Sequence, residues 1–210
     1  MGPATYARFL FLKKITKWNI NDVILDVGCG SGRFIRLLSS LVKEIHGIDI
    51  SEEALKIAKN MKIKNASLKK GSALKIPYGN NFFDKVICID VIEHIRDDEK
   101  VLKEIKRVLK KGGEGIIYFP KGFDPIHYHS YDIKKIAKLA KKCKIKVDKI
   151  LIHRSILDKI VNPLRKPIRR EQKSKNPSLV SRILAFLILL ECYVPFLPVE
   201  GYIAKMKKLK

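Results

Sequence analysis

Cysteine is scarce and scattered. The 210 residues hold four, at positions 29, 88, 143 and 192, with no CxxC pair. That spacing excludes a zinc knuckle and offers no disulfide framework, so the four read as buried thiols of a reducing compartment. The N-terminal segment is not expected to act as a secretory signal. The apolar patch Phe9–Leu12 is four residues long and runs straight into Lys13 and Lys14, which does not make a signal segment. The longest apolar run, Ile183–Leu190, falls well short of the roughly 20 residues a membrane-spanning helix needs. No internal repeat is visible. Acids are few, 21 Asp+Glu against 44 Lys+Arg, for a formal net charge of +23.

The remaining composition is that of a globular chain. Hydrophobic residues make up 46%, too many for a disordered segment, and the length suits one domain with a small appendage. The basic excess is uneven. Residues 1–120 hold 22 basic and 14 acidic side chains, whereas residues 121–210 hold 22 and 7. A C-terminal third charged in this way is drawn to an anionic partner, nucleic acid or an acidic membrane face. A lysine-biased genome or a thermophile surface would give the same count.

Along the chain, strand-like and helix-like patterns alternate. A helix is expected over residues 5–18, closed by Trp18, and then a strand over Val23–Val27. The turn Gly28-Cys29-Gly30-Ser31-Gly32 follows, and after it a helix carrying Phe34, Ile35, Leu37, Leu38 and Leu41. A second strand spans Glu44–Ile50. Ser51 caps the next helix, with Glu52 and Glu53 in its first turn. A weak strand around Ala66–Leu68 and a buried one over Phe83–Ile89 come next. An amphipathic helix over 97–111 is stopped by Gly112-Gly113, and a strand over Gly115–Phe119 ends at Pro120. A basic helix over 132–142, a strand over Ile145–Ile152 and a last strand over Gly201–Met206 complete the pattern. Continuous apolar strands alternating with helices predict an α/β fold. The expected form is Rossmann-like and doubly wound, with a mostly parallel seven-stranded sheet, a last antiparallel strand and a C-terminal helical insertion. The expected divisions are a lid helix at 1–20, a Rossmann-like domain at 21–154, an insertion at 155–199 and a final strand with a basic tail at 200–210.

In such a sheet ligands bind at the carboxyl ends of the strands. The first strand ends in Asp26-x-Gly28-x-Gly30-x-Gly32, glycines that let the backbone turn tightly and approach a ligand. A dinucleotide fingerprint would place its third glycine at position 33, where Arg33 stands. The second strand ends in Asp49, 21 residues after Gly28. A carboxylate there can accept both hydroxyls of a ribose, and Ile50 beside it can lie against a purine. Glycine turn and acid together specify a nucleoside ligand.

Four segments carry a family resemblance: VILDVGCGSGRF, IHGIDIS, GSALKIPYGNNFFDKVICIDVIEHI and LKEIKRVLKKGGEGIIYFP. In this order and spacing they resemble the class I S-adenosylmethionine-dependent methyltransferases. The likeness is closest to the small-molecule branch that includes the ubiquinone and menaquinone biosynthesis enzymes. It is strong over residues 20–120 and looser over 121–153. The resemblance implies an S-adenosylmethionine site in which Asp26, Gly28, Cys29 and Gly30 line the methionine part. Asp49 would hold the ribose and Ile50 would pack on the adenine. Where relatives carry Gly-Asp-Ala, this chain has Gly71-Ser72-Ala73, so adenine recognition shifts to Ser72 and to the backbone of Ala73 and Leu74. Asp90 would face the methyl-transfer centre, and His94 matches a histidine common in the family. His127 followed four residues later by Tyr131 fits a pattern of relatives, which makes His127, Asp90 and Tyr131 the candidate catalytic residues. A general base is needed only where the nucleophile arrives protonated. The pair His127-x-His129, on a loop without a third ligand in view, is not expected to hold a metal.

The insertion departs from the family pattern. Its first part, Asn162–Pro177, carries Arg165, Lys166, Arg169, Arg170, Lys173 and Lys175 against Glu171 alone. Its second, Leu179–Val199, has the apolar heart Ile183–Leu190, broken later by Pro195 and Pro198. A polybasic stretch beside an apolar helix fits one leaflet of an anionic membrane, with Phe9–Leu12 joining the same surface. A cap over the active site or a dimer interface fits the same residues. Three functions remain in view. The leading one is a cytoplasmic methyltransferase for a small or lipid-like acceptor, peripheral at the inner face of the membrane, as a monomer or homodimer. The others are a tRNA or rRNA methyltransferase and a non-catalytic cofactor-binding subunit.

Overall fold

The computed structural model describes residues 3–121, 125–154, 179, 183, 186 and 199–209. Seven strands form one sheet: β1 (Val23–Val27), β2 (Glu44–Asp49), β3 (Ala66–Lys70), β4 (Phe83–Cys88), β5 (Leu109–Pro120), β6 (Lys146–Arg154) and β7 (Val199–Lys207). Their spatial order is β3-β2-β1-β4-β5-β7-β6. The first five pair in parallel, and β7 runs antiparallel between β5 and β6. The expected mixed sheet with an antiparallel last strand is therefore what the chain forms.

Among the described residues, helices α1 (Pro3–Ile15), α2 (Arg33–Leu38), α3 (Glu52–Lys59), α4 (Asp98–Val108) and α5 (Ile133–Lys142) cover the sheet. Side chains of the starting residues fix three of them. Ser51 Oγ accepts from the Ala54 N–H at 3.1 Å, an Asp97 oxygen from Lys100 at 2.8 Å and an Asp132 oxygen from Lys135 at 2.7 Å, each satisfying one donor that the first turn leaves open.

Alternation along β1 and β4 sends side chains to two cores. Leu25, Val86 and Cys88 join Leu102, Ile105 and Ile136 of α4 and α5. Ile24 and Ile87 join Leu12, Ile35 and Leu55 of α1, α2 and α3 on the other face. With both faces dry, the strands read as unbroken apolar runs.

Three expectations need correction. The first helix ends at Ile15, not at Trp18. Phe9, Phe11 and Leu12 are buried in the second core, so the Phe9–Leu12 cluster packs on the sheet and offers nothing to a membrane. The fourth helix ends at Val108, and Gly112-Gly113 lie inside β5. Leu109 turns extended (φ −68, ψ 139) to sit opposite Phe83, after which the register jumps to Lys85–Glu114. A Cβ on Gly113 would lie 3.0 Å from the Asp84 carbonyl oxygen. These glycines therefore permit a bulge against β4 and do not cap a helix.

Strand order reverses between β1 and β4, since β2 lies on one side of β1 and β4 on the other. The carboxyl ends of these two strands flank the switch point at which open α/β sheets bind ligands. The insertion expected at 155–199 lies almost wholly outside the described residues.

Candidate active site

The glycine turn is built against the end of β2. Gly28 and Cys29 both donate to the Ile48 carbonyl, at 2.8 and 3.0 Å. Gly28, Gly30 and Gly32 have φ of 71, 50 and 76, a region costly for any side chain. Each is needed for its own reason. A Cβ on Gly28 would lie 2.3 Å from Val91 Cγ2, and one on Gly32 2.5 Å from Met61 Cε, so these two let β4's end and α3 close on the turn. A Cβ on Gly30 would meet nothing within 4 Å; this glycine presents bare backbone to open space.

Two acids stand at the turn. Asp49 accepts from the Gly30 N–H at 2.7 Å with Oδ2 and from the Ser51 N–H at 2.9 Å with Oδ1. Asp26 is buried, and its Oδ2 has no hydrogen-bond partner among the described residues. Burial, and then the charge of Asp49, holds the Asp26 carboxyl well above the usual carboxylate range. A like-charged pair with an unsatisfied buried oxygen favours a cationic occupant. Beside it Ile50 is 74% exposed, an apolar side chain with its face open.

The third strand's end closes this side. Gly71 donates to the Asp49 carbonyl at 3.0 Å. Ser72 Oγ accepts from the Leu74 N–H at 3.1 Å, so that N–H is already engaged, and Ala73 is buried. Cys29 is buried too, its thiol pushed up by burial and by Asp26; it packs below the turn.

On the β4 side, Asp90 sits at φ 58, with its carboxylate 2.9 Å from Arg8 Nη1 of α1. The Arg8 guanidinium lies over the Tyr118 ring, 4.9 Å from its centroid. Sequence reasoning missed Arg8; the available signal was one arginine inside the apolar run Tyr6–Leu12. A short 3-10 turn, Ile92–His94, follows. The Tyr128 N–H donates to the Glu93 carbonyl at 2.8 Å. This brings His127 onto His94, ring centroids 4.7 Å apart and edge-on. Glu93 was also missed. Its side chain is only 2% exposed, and burial, reinforced by the charge of Asp90, raises its carboxyl to about 7.

Tyr131 does not join this cluster. It is buried in the α4–α5 core, with its ring 4.9 Å from Phe119 and its hydroxyl donating to Asp98 at 3.1 Å. Burial drives that hydroxyl far up. The structure gives Tyr131 a packing environment, and His127 takes His94 as its ring neighbour. His129 Nε2 lies 2.9 Å from the Arg96 carbonyl oxygen, away from His127.

Within this geometry, residues 25–117 match the methyltransferase domain family. The chain is 36% identical over 113 residues to an uncharacterised methyltransferase, YdaC, of Bacillus subtilis, covering 49% of this chain and 62% of that one. It is 36% identical over 100 residues to demethylmenaquinone methyltransferase of Alkalihalophilus pseudofirmus, covering 44% and 42%. The chain thus spans at most about three-fifths of the length of these curated relatives. Its fold superposes on the phosphoethanolamine N-methyltransferase 2 of Haemonchus contortus solved with S-adenosyl-L-methionine, with a TM-score of 0.70, 21% identity and coverage of 96% of this chain and 52% of that one. Fold order, glycine turn and matched segment agree on one likeness: over residues 25–117 the chain is similar to the methyltransferase domain family, and its fold is that of the solved S-adenosylmethionine-dependent methyltransferases.

Proposed function

We propose that the protein transfers a methyl group from S-adenosylmethionine to a small or lipid-like acceptor, working at the surface of an anionic membrane. The observation that carries the first half is the acid pair at the glycine turn. S-adenosylmethionine bears a sulfonium and an ammonium, and Asp26, buried with an unsatisfied oxygen beside Asp49, is the complement of a cation. Asp49 keeps lone pairs for a ribose, the bare backbone of Gly30 allows close approach, and the open face of Ile50 can take a purine. The residues present fit the cofactor.

When bound, the cofactor supplies a methyl already activated for transfer. The protein's part is then alignment and exclusion of water. Asp26, Gly28 and Gly30 set the depth of the site, and Asp49 fixes its register along β2. Asp90, held in its backbone conformation and tied to Arg8, bounds the side from which an acceptor would enter. His127 stands there as acceptor contact or proton acceptor. Turnover of radiolabelled S-adenosylmethionine against candidate acceptors, with Asp49→Ala as control, tests the reading. A folded protein that does not bind the cofactor overturns it.

Membrane contact rests on the charge asymmetry and on three described residues of the insertion. Leu179, Ile183 and Phe186 are in helical conformation and 72%, 51% and 55% exposed, and their spacing puts them on one face. Among the described residues no helix is long and apolar enough to cross a membrane, so the contact would be interfacial.

A further inference from the structure

We propose that Glu93, His94 and His127 form a binding site for a divalent first-row transition metal ion. One oxygen or nitrogen from each lies within 4.8 Å of those of the other two. The cluster is assembled, not incidental. His127 lies between two residues pinned to the Ile92–His94 turn: Tyr128 donates to the Glu93 carbonyl at 2.8 Å, and the Ile126 carbonyl oxygen lies 3.4 Å from His94 Nδ1. Donation from Nδ1 to that carbonyl would leave Nε2 with its lone pair, the arrangement by which neighbours orient metal-ligating imidazoles.

A second observation points to a ligand. Glu93 is 2% exposed, and its Oε2 has no hydrogen-bond partner among the described residues. A buried carboxylate oxygen left unmatched is costly, and a cation bound by the two imidazoles would match it. Two imidazoles and one carboxylate suit zinc, iron, cobalt or nickel better than calcium or magnesium. Ligand atoms around a tetrahedral ion stand roughly 3.4 Å apart at ordinary bond lengths. The cluster therefore needs to close by up to about 1.4 Å, which side-chain rotation of exposed His94 and half-buried His127 can supply. Asp90 is engaged with Arg8 at 2.9 Å and stays outside the ligand set, next to the ion. The proposal does not depend on methyl transfer, because it is read by cation binding alone.

The test uses untagged full-length protein and CoCl2. One equivalent should bind, with visible absorption bands from coordinated cobalt that ZnCl2 abolishes by displacement. Glu93→Gln and His127→Ala should each lower affinity by at least tenfold, and His129→Ala, outside the cluster, should leave it unchanged. Circular dichroism shows whether the buried Glu93→Gln variant folds; His127 lies on a surface loop, so its variant decides the matter if Glu93→Gln does not. Absence of cobalt bands in the wild-type protein, or bands that persist in folded His127→Ala, overturns the proposal.

Discussion

At the scale of single residues the site is set by atoms that do two jobs. Asp49 anchors the turn through Gly30 and also offers its free lone pairs outward. Asp49→Ala should weaken S-adenosylmethionine binding by roughly 2–4 kcal/mol, the loss of two charge-assisted bonds. Calorimetry measures it, and unchanged affinity would remove Asp49 from the site. Gly28 tests packing instead. A methyl there would stand 2.3 Å from Val91 and in an unfavourable backbone conformation, so Gly28→Ala should cost about 2–4 kcal/mol of stability. Adding Val91→Ala should restore part of that loss in urea titration; no recovery would mean that strain alone sets the cost. Sequence exposed Asp26, Gly28, Gly30 and Asp49 because a glycine turn after an apolar run, followed by an acid at the next strand's end, is a local pattern. Arg8 and Glu93 were hidden because their roles come from residues far off in the chain, Asp90 and His127.

At the scale of elements, α1 is held by its apolar side, by one ion pair and by one ring contact to the sheet. Arg8 reaches Asp90, and Phe11 meets His153 of β6 edge-on at 5.5 Å. His153 is buried, with its Nδ1 3.3 Å from the Tyr118 hydroxyl. Burial, and then the charge of Arg8, lowers its imidazole to about 3. The folded value lies below the unfolded one, so the unfolded chain binds the extra proton between the two. The neutral ring's contribution is therefore full above about pH 6.5 and is lost as pH falls toward 3. From neutral pH to pH 5 this one group should cost about 2 kcal/mol of stability. His153→Gln should flatten that part of the profile, and denaturant midpoints at pH 7 and pH 5 measure the difference. An unaltered slope in the variant would assign the acid sensitivity elsewhere. Elements were legible wherever burial alone decided them, as in β1, β4 and α4. The Gly112-Gly113 bulge was not legible, because a glycine pair that stops a helix and one that lets a strand jump register look alike until Asp84 is placed beside them.

At the scale of the whole molecule, charge decides the partner. If the basic C-terminal third meets lipid, the protein should sediment with anionic vesicles at low salt and be released as salt rises. Neutral vesicles should retain only the weaker apolar share, and reversing Arg169 and Arg170 should remove most of the anionic preference. A protein that ignores both vesicles yet shifts tRNA near physiological salt belongs with nucleic acid instead. The strand order carries a further consequence, one of timing. In the sheet β7 separates β5 from β6, yet it leaves the ribosome after both of them. At about 5–20 residues per second, synthesis takes several seconds to pass from Pro120 to Val199. Until β7 arrives, β6 has nothing to pair with, and the backbone edge of β5 along Ile116–Phe119 stays unmatched. An unpaired apolar edge recruits other chains. The nascent protein therefore passes through a window of self-association that closes only when Val199–Lys207 has emerged, and a messenger cut short before Val199 should yield aggregate, not a smaller folded protein.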